Sequence, residues 1–139
     1  MRVLSLDVGD KRIGVALSDP SGLLATPLTT IKRGEHTSDI EEVLRLAGEH
    51  DAGEVIVGMP ISLSGRMGAQ AELTARFAAA LADRASIPVN SVDERYSTVQ
   101  AERLLRESGV KPSKNKARVD AAAAAVILQS YLDSKRAGS

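Results

Sequence analysis

The spacing of apolar and polar residues changes several times along this chain. Short apolar runs rich in β-branched residues predict five strands: Arg2–Val8, Arg12–Leu17, Gly22–Ile31, Glu54–Gly58 and Pro88–Asp93. Apolar residues at helical spacing predict four helices: one beginning at Ser38, Ala69–Ala85, one from Ser97 to Gly109, and Ala117–Ser134. The predicted order of elements is therefore βββαβαβαα.

Local signals refine these elements. Gly9-Asp10-Lys11 is a turn sequence, so the first two strands should form a hairpin. Pro27 inside the third strand favours an edge position or a bulge. Ser38 with Glu41, and Ser97 with Gln100, have the spacing of capping boxes that begin helices. Met59–Gly68 and Val110–Lys116 are predicted to be loops, the second of them flexible.

Strands that first follow one another directly and then alternate with helices indicate an α/β fold. The first three strands should pair antiparallel, and the later ones should join the same sheet in parallel through crossover helices. We therefore predict a mixed five-stranded sheet flanked by helices. At 139 residues, with no internal repeat, the chain is expected to form a single domain over residues 1–139.

Charge is distributed unevenly along the chain, although its total is balanced. Eighteen Lys and Arg residues balance 18 Asp and Glu residues, which excludes a uniformly basic nucleic-acid-binding protein. By position, however, residues 35–54 carry a net charge of −6, and residues 95–118 carry a net charge of +5. The sequence contains no Cys and two His, so disulfides, zinc–thiolate sites and His-based catalysis are excluded or poorly supported.

No segment of the sequence predicts a membrane or export role. The apolar start, Met1–Val8, is short for a signal peptide and is interrupted by Asp7. The longest wholly apolar run, Ala121–Leu128, is well below the roughly 18 residues that a membrane-spanning helix needs. We expect a cytoplasmic protein that does not bind membranes.

Three acidic positions could carry chemistry. Asp7 lies in a predicted central strand, where a carboxylate is costly to bury unless it is paired with Arg12 or Lys11 or binds a metal. Asp93-Glu94-Arg95 lies where the last strand ends, the edge at which sites of open α/β sheets cluster, although it could be an ordinary polar strand end. Asp120 is predicted in the first turn of the last helix, where the helix dipole alone could explain an acid.

Two features favour a functional interpretation of these acids. The small residues Ala121–Ala125 would let the last helix lie close to the sheet and bring Asp120 near the strand acids. An oxygen-only ligand set without Cys suits Mg²⁺ or Mn²⁺ better than zinc. Two such ions can support hydrolysis of a phosphodiester bond.

Glycines and lysines add candidate binding positions. Gly9 and Gly14 beside Asp7 permit a tight turn and the close approach of a phosphate, a pattern also found in ATPases of the sugar-kinase and actin type. A loop at a strand end could bind phosphate through its backbone N–H groups, or could be ordinary surface structure: Gly58-Met59-Pro60 with Ser62, Ser64 and Gly65. Lysines of the predicted flexible loop could contact a nucleic-acid backbone, or the loop could be a solvated linker: Lys111, Lys114 and Lys116.

Four stretches, in order over nearly the whole chain, resemble the motifs of the YqgF-type pre-16S rRNA nuclease family. That family is Holliday junction resolvase-like and has an RNase H-like fold. The stretches are Asp7-Val8-Gly9 with Arg12-Ile13-Gly14-Val15-Ala16 and Ser18-Asp19; Ile56-Val57-Gly58-Met59-Pro60; Asp93-Glu94-Arg95-Tyr96-Ser97-Thr98; and Val119-Asp120 with Ala122-Ala123 and Ile127-Leu128-Gln129-Ser130-Tyr131-Leu132.

The resemblance implies a role for particular residues. It implies that Asp7, Glu94 and Asp120 are the catalytic, metal-binding acids, with Glu94 assigned in preference to Asp93. It also implies that four further residues line or shape the site: Arg12, Gly58, Arg95 and Thr98. The activity implied is metal-dependent cleavage of structured RNA during 5′-end maturation of precursor 16S rRNA. Ser62 and Tyr96 depart from the residues frequent in the family, Asn and Leu, which affects the expected substrate contacts rather than the acids.

Three other functions stay open at this point. Resolution of branched DNA junctions would need two active sites in a symmetric homodimer. A non-catalytic nucleic-acid-binding module would keep the fold without cutting. A nucleotide-binding fragment of the ATPase type is disfavoured because such ATPases close two lobes around the nucleotide, and this chain has the length of one domain.

Overall fold

Five strands form one mixed sheet in a computed structural model that describes residues 1–34, 36–60, 68–93 and 116–137. In chain order the strands are β1 (Arg2–Val8), β2 (Arg12–Ser18), β3 (Ala25–Lys32), β4 (Ala52–Met59) and β5 (Val89–Asp93). Across the sheet their order is β3-β2-β1-β4-β5. β1 pairs antiparallel with β2, and β2 with β3. β1 pairs parallel with β4, and β4 with β5, as predicted.

Helices cover both faces of this sheet: α1 (His36–Glu49), α2 (Ala69–Arg84) and α3 (Lys116–Ala137). Apolar residues of α1 and α2, including Val43, Phe77 and Leu81, pack with one face of the strands in the larger core cluster. Apolar residues of α3, including Leu128, pack on the other face. Alternating side chains of the central strands supply both cores, which explains why β1 and β4 are almost wholly buried. None of the helices in the described ranges is long and apolar enough to cross a membrane.

The edge strand β3 begins three residues later than its apolar pattern predicts. Asp19 holds the preceding residues in a turn: its carboxylate accepts hydrogen bonds from the Ser21 hydroxyl and from the backbone N–H of Leu23. Gly22 in this turn has a φ of 74°. The bond from the Ser21 hydroxyl, followed by backbone bonds, lowers the pKa of Asp19. Pro27 lies at an edge and beside a register shift, so both expectations for it are confirmed.

Helix α1 begins at His36, so the prediction that Ser38 caps it is wrong. The acceptor at this helix start is Asp39, which is 2% exposed. Its carboxylate accepts from the Gly34 backbone N–H at 3.0 Å and from the Arg33 Nε at 3.2 Å. A buried aspartate in the first turn thus ties the residues that precede α1 to the start of the helix.

The remaining boundaries differ by a few residues from the predictions. β4 extends to Ala52 and Met59, and α2 ends at Arg84. α3 begins at Lys116 and continues to Ala137, so Lys116 lies in a helix and not in a flexible loop. The predicted helix from Ser97 to Gly109 lies outside the described residues, as do most of the two predicted loops.

A buried carboxylate fastens α3 to the sheet at the end where β4 begins. Glu54, 6% exposed, accepts hydrogen bonds from the Tyr131 hydroxyl at 2.5 Å and from Asn90 at 2.8 Å. Lys135 lies 3.7 Å from the same carboxylate. Desolvation, followed by the bond to Glu54, raises the pKa of Tyr131 to about 12.

This contact predicts a pH-dependent stability. A phenol whose pKa is raised by folding stabilises the protein fully below its ordinary pKa near 10, and that stabilisation is lost as the pH rises through 12. At neutral pH, Tyr131→Phe should lower the free energy of unfolding by about 1.5–3 kcal/mol, the range for a hydrogen bond to a charged group. Urea unfolding of both proteins at pH 8 and pH 11.5 checks this. The difference between them should shrink at the higher pH, and a constant difference would contradict the assignment.

Candidate functional site

Asp7 lies on the α3 face of the central strand. Leu4 and Leu6 of β1 belong to the core under α1 and α2, whereas Val3 packs with α3. The Ser5 hydroxyl donates to the carbonyl of Ala124 in α3 at 2.9 Å. Because side chains alternate along a strand, Asp7 shares the face of Val3 and Ser5. Its side chain is partly exposed.

Gly14 lies opposite Asp7 in the β1–β2 hairpin, and at this residue α3 makes a close contact with the sheet. The two residues are Cα partners in the β1–β2 register. A β-carbon on Gly14 would overlap the backbone carbonyl of Asp120 and come within 2.9 Å of the Ala121 nitrogen. The sequence suggested that Gly14 leaves room for a phosphate. In the structure that room is filled by the backbone of α3, so Gly14 is what allows Asp120 to lie beside Asp7.

Small residues make this close approach possible along the whole contact. Ala121, Ala122, Ala123 and Ala124 are all buried, as expected if α3 lies low on the sheet. Asp120 lies beyond the first turn of α3, which contains no acidic residue. The helix-dipole explanation for this aspartate is therefore weakened, because that effect decays within the first turn.

Arg12 orients the Asp120 carboxylate. Its Nε donates to Asp120 Oδ2 at 2.8 Å, and the two side chains are 32% and 29% exposed. Arg12 is the first residue of β2 and lies two residues before Gly14, on the same face of the sheet. From that face its side chain reaches Asp120 of α3.

Gly58, in the neighbouring parallel strand β4, is a second glycine beside Asp7. Gly58 follows Val57, the Cα partner of Leu6, so it lies level with Asp7 on the opposite side from Gly14. Gly58 is buried in β4 and is the partner of Val92 in β5. Asp7 thus stands between two glycines on its own face of the sheet.

Asp93 belongs to the other face of the sheet. Along β5, Asn90 bonds to Glu54 beneath α3, and Val92 packs with the α3 core. Alternation therefore directs Asp93 away from the face of Asp7 and Asp120, although β5 ends at the same sheet edge. This argues against Asp93 and keeps Glu94, the next residue, as the third candidate acid.

Most of the other predicted site residues cannot be placed. Outside the described residues lie Glu94, Arg95, Thr98, Lys111 and Lys114, together with Ser62, Ser64, Gly65 and Tyr96. Lys116 begins α3, and nothing is described of its side chain. Asp19, part of the first motif, shapes the β2–β3 turn at the other end of the hairpin and does not join the site.

The donors that the structure brings together suit a hard cation. Asp7 and Asp120 are carboxylates on one face, with Gly14 between them, and oxygen ligands are those that Mg²⁺ and Mn²⁺ prefer. Within residues 1–34, 36–60, 68–93 and 116–137, no three acidic, His or Cys side chains form a group that could hold a metal. Two of the three predicted ligands, Asp7 and Asp120, therefore lie on one face of the sheet. Glu94 is the position left to complete the set.

The Arg12–Asp120 contact predicts an effect on activity larger than its effect on stability. A partly exposed ion pair stabilises a fold by about 0–1 kcal/mol, but residues that orient a ligand carboxylate typically matter 10–100-fold for metal affinity or activity. Arg12→Gln should therefore lower the cleavage rate by about 10–100-fold and leave the melting temperature nearly unchanged. Arg12→Lys should not restore the rate, because an ammonium lacks the directed Nε–H. Rates equal to wild type in both variants would remove Arg12 from the site.

A family model described as "RuvX: Holliday junction resolvase" matches residues 1–134. A relative from Chloroflexus aurantiacus, named "Putative pre-16S rRNA nuclease", is 46% identical over 134 residues, covering 96% of this chain and 88% of the relative. A relative of the same name from Nocardioides is 51% identical over 140 residues, with coverages of 96% and 88%.

Solved structures of low sequence identity share the fold. RuvC of T. thermophilus, in complex with a Holliday junction substrate, aligns with a TM-score of 0.62 at 16% identity and covers 98% of this chain and 96% of that one. The Fowlpox virus resolvase, in complex with Holliday junction DNA, gives 0.61 at 15% identity, with coverages of 97% and 99%. The expected RNase H-like fold is thereby confirmed.

Proposed function

The chain belongs to the RuvX family of Holliday junction resolvases, and from that premise we propose that it is a divalent-metal-dependent nuclease that cuts precursor 16S rRNA during 5′-end maturation. The names of relatives up to 51% identical support the substrate. The observation that carries the proposed chemistry is the meeting of Asp7 and Asp120 on one face across Gly14. The reaction would take place in the cytoplasm.

In this proposal each residue has a distinct task. Asp7 and Asp120 hold the cation from neighbouring elements, and Glu94 completes the ligand set from the segment after β5. Arg12 keeps the Asp120 carboxylate turned toward the ligand position. A divalent cation bound there supplies Lewis-acid stabilisation of the charge that develops on the phosphodiester.

The same geometry supports positioning of the substrate. The phosphodiester would approach Asp7 from the β4 side, where Gly58 brings no side chain of its own. Arg95 and Thr98, which follow Glu94 in the sequence, would contact the same phosphate. Three lysines before and at the start of α3 would contact the backbone further along: Lys111, Lys114 and Lys116.

Resolution of DNA junctions is the second candidate function. Its support is the family description and the two junction-bound structural neighbours. Cutting both strands of a junction symmetrically would need a homodimer that presents two sites. A junction resolvase and an rRNA nuclease therefore differ in substrate and in oligomeric state.

One cleavage assay separates these functions. Purified protein is mixed in turn with a 5′-extended 16S rRNA transcript, an unstructured single-stranded RNA and a four-way DNA junction, each with Mg²⁺ or Mn²⁺. We expect cutting of the precursor transcript in its 5′ extension. Preferential paired cuts in the junction by a dimer would replace the proposal with resolution, and binding without any cut would support a non-catalytic module.

A further inference from the structure

A cleft rich in basic residues opens beside the candidate site, at the end of the β1–β2 hairpin. It has a volume of about 480 Å³ and is lined by Asp10, Lys11, Arg12, Thr30, Lys32 and Arg33. Four of these side chains are cationic and one is anionic. In a chain whose formal charge is zero, this is a local excess of positive charge next to the carboxylates.

Two of the four cations already have structural partners. Arg12 is bonded to Asp120. Arg33 donates to the buried carboxylate of Asp39 and to the Gly9 carbonyl, and its guanidinium lies 5.4 Å from the centre of the Phe77 ring. Arg33 therefore forms a fixed wall of the cleft, and its charge is largely compensated.

Lys11 and Lys32 are different. Both are exposed, and neither forms an ion pair with any residue that the structure describes. The acidic side chains of α1 nearest to Lys32 both pair with Arg45, Glu42 at 2.5 Å and Glu49 at 2.6 Å, and neither lies within ion-pair distance of Lys32. Two exposed ammonium groups that form no ion pair within the described residues are suited to bind an anion from solution.

The position of the cleft relative to Asp7 indicates which anion it would bind. Asp7 is the Cα partner of Gly14, Gly14 of Thr30, and Lys32 lies two residues beyond Thr30. Two strand spacings sideways and two residues along the strand place Lys32 roughly 12 Å from Asp7. This distance is longer than one nucleotide step, so a phosphate bound at Lys32 would not be the scissile phosphate but one further along the same strand.

We propose that Lys11 and Lys32 form a subsite for the phosphodiester backbone of the substrate strand, outside the reaction centre. This inference rests on the proposed nuclease function. It assigns to β2 and β3 the task of holding the strand on the side of Asp7 away from β5. Because the contact is with the backbone, it contributes affinity and register but no sequence preference.

The test measures binding of a fluorescein-labelled RNA carrying the 5′ end of precursor 16S rRNA, over a range of salt concentrations, in an Asp7→Asn background. Adding Lys11→Gln and Lys32→Gln should weaken binding several-fold and reduce the slope of log affinity against log salt by about 0.7–0.9 for each lysine. Lys32→Arg should retain most of the affinity. Arg76→Gln, which removes one exposed positive charge from α2, is the matched control and should leave the slope unchanged.

Cleavage distinguishes this inference from the function on which it rests. With Asp7 intact, the double lysine variant should need more RNA to reach its maximal rate, and that maximal rate should equal the wild-type value. If the wild type cuts RNA but the double variant keeps the wild-type salt slope, the subsite is wrong and the nuclease assignment stands. If the wild type cuts nothing but the salt slope falls as expected, the subsite stands and the catalytic proposal is wrong.

Discussion

Asp7→Asn should abolish RNA cleavage while leaving the fold intact. The carboxylate lies on the face to which α3 brings Asp120, and its flanks carry glycines. An amide of nearly the same shape loses the negative charge that a divalent ion requires. Since even groups that only support a metal ligand matter 10–100-fold, loss of the ligand itself should lower the single-turnover rate by more than about 100-fold.

The control for this prediction is a matched loss of charge elsewhere. Asp83→Asn changes an exposed aspartate on α2, on the opposite face of the sheet, and should cleave at the wild-type rate. Circular dichroism and melting temperature show whether each variant is folded. A folded Asp7→Asn protein that cuts at the wild-type rate would remove Asp7 from the reaction.

Gly14→Ala should damage both stability and activity by displacing α3. A methyl group at this position overlaps the Asp120 carbonyl, and a backbone atom cannot turn aside as a side chain can. Overpacking of this kind typically lowers stability by about 1–3 kcal/mol. Because Asp120 is on the displaced segment, cleavage should fall further than stability alone explains.

A second glycine provides the comparison. Gly48 lies in α1, and a β-carbon there would meet nothing within 4 Å. Gly48→Ala should therefore stabilise the protein by about 0.5–1 kcal/mol, because alanine is the better helix former, and leave cleavage unchanged. Denaturant unfolding and single-turnover rates of the two variants test the contrast. Wild-type stability and rate in Gly14→Ala would show that α3 does not rest on β2 at this point.

Local signals in the sequence predict much of this fold and misplace some of its boundaries. Apolar periodicity identifies all five strands, and the turn at Gly9 identifies the first hairpin. The start of β3 is missed because the pattern from Gly22 onward predicts a strand, whereas Asp19 holds Leu23 in a turn. The start of α1 is missed because Ser38 and Glu41 have the spacing of a capping box, although the helix already begins at His36.

The candidate site depends on contacts that no local pattern contains. Arg12 and Asp120 are 108 positions apart in the chain, and Gly14 reveals its role only once α3 is placed on the sheet. A glycine inside a strand does signal close approach, but the sequence does not say of what. Lys32 was left out of the predicted β3, so its register opposite Arg12, and with it the basic cleft, became visible only in the structure.

Metal dependence of cleavage tests the central claim most directly. The wild-type protein, freed of metal with EDTA, is given labelled 5′-extended 16S rRNA transcript under single-turnover conditions, and Mg²⁺ or Mn²⁺ is then titrated. The account predicts no cleavage without added metal, a rate that rises to a plateau as metal is added, and no rate at any concentration in Asp7→Asn. Cleavage by the wild type at full rate in EDTA would contradict the carboxylate-bound metal on which the proposed function rests.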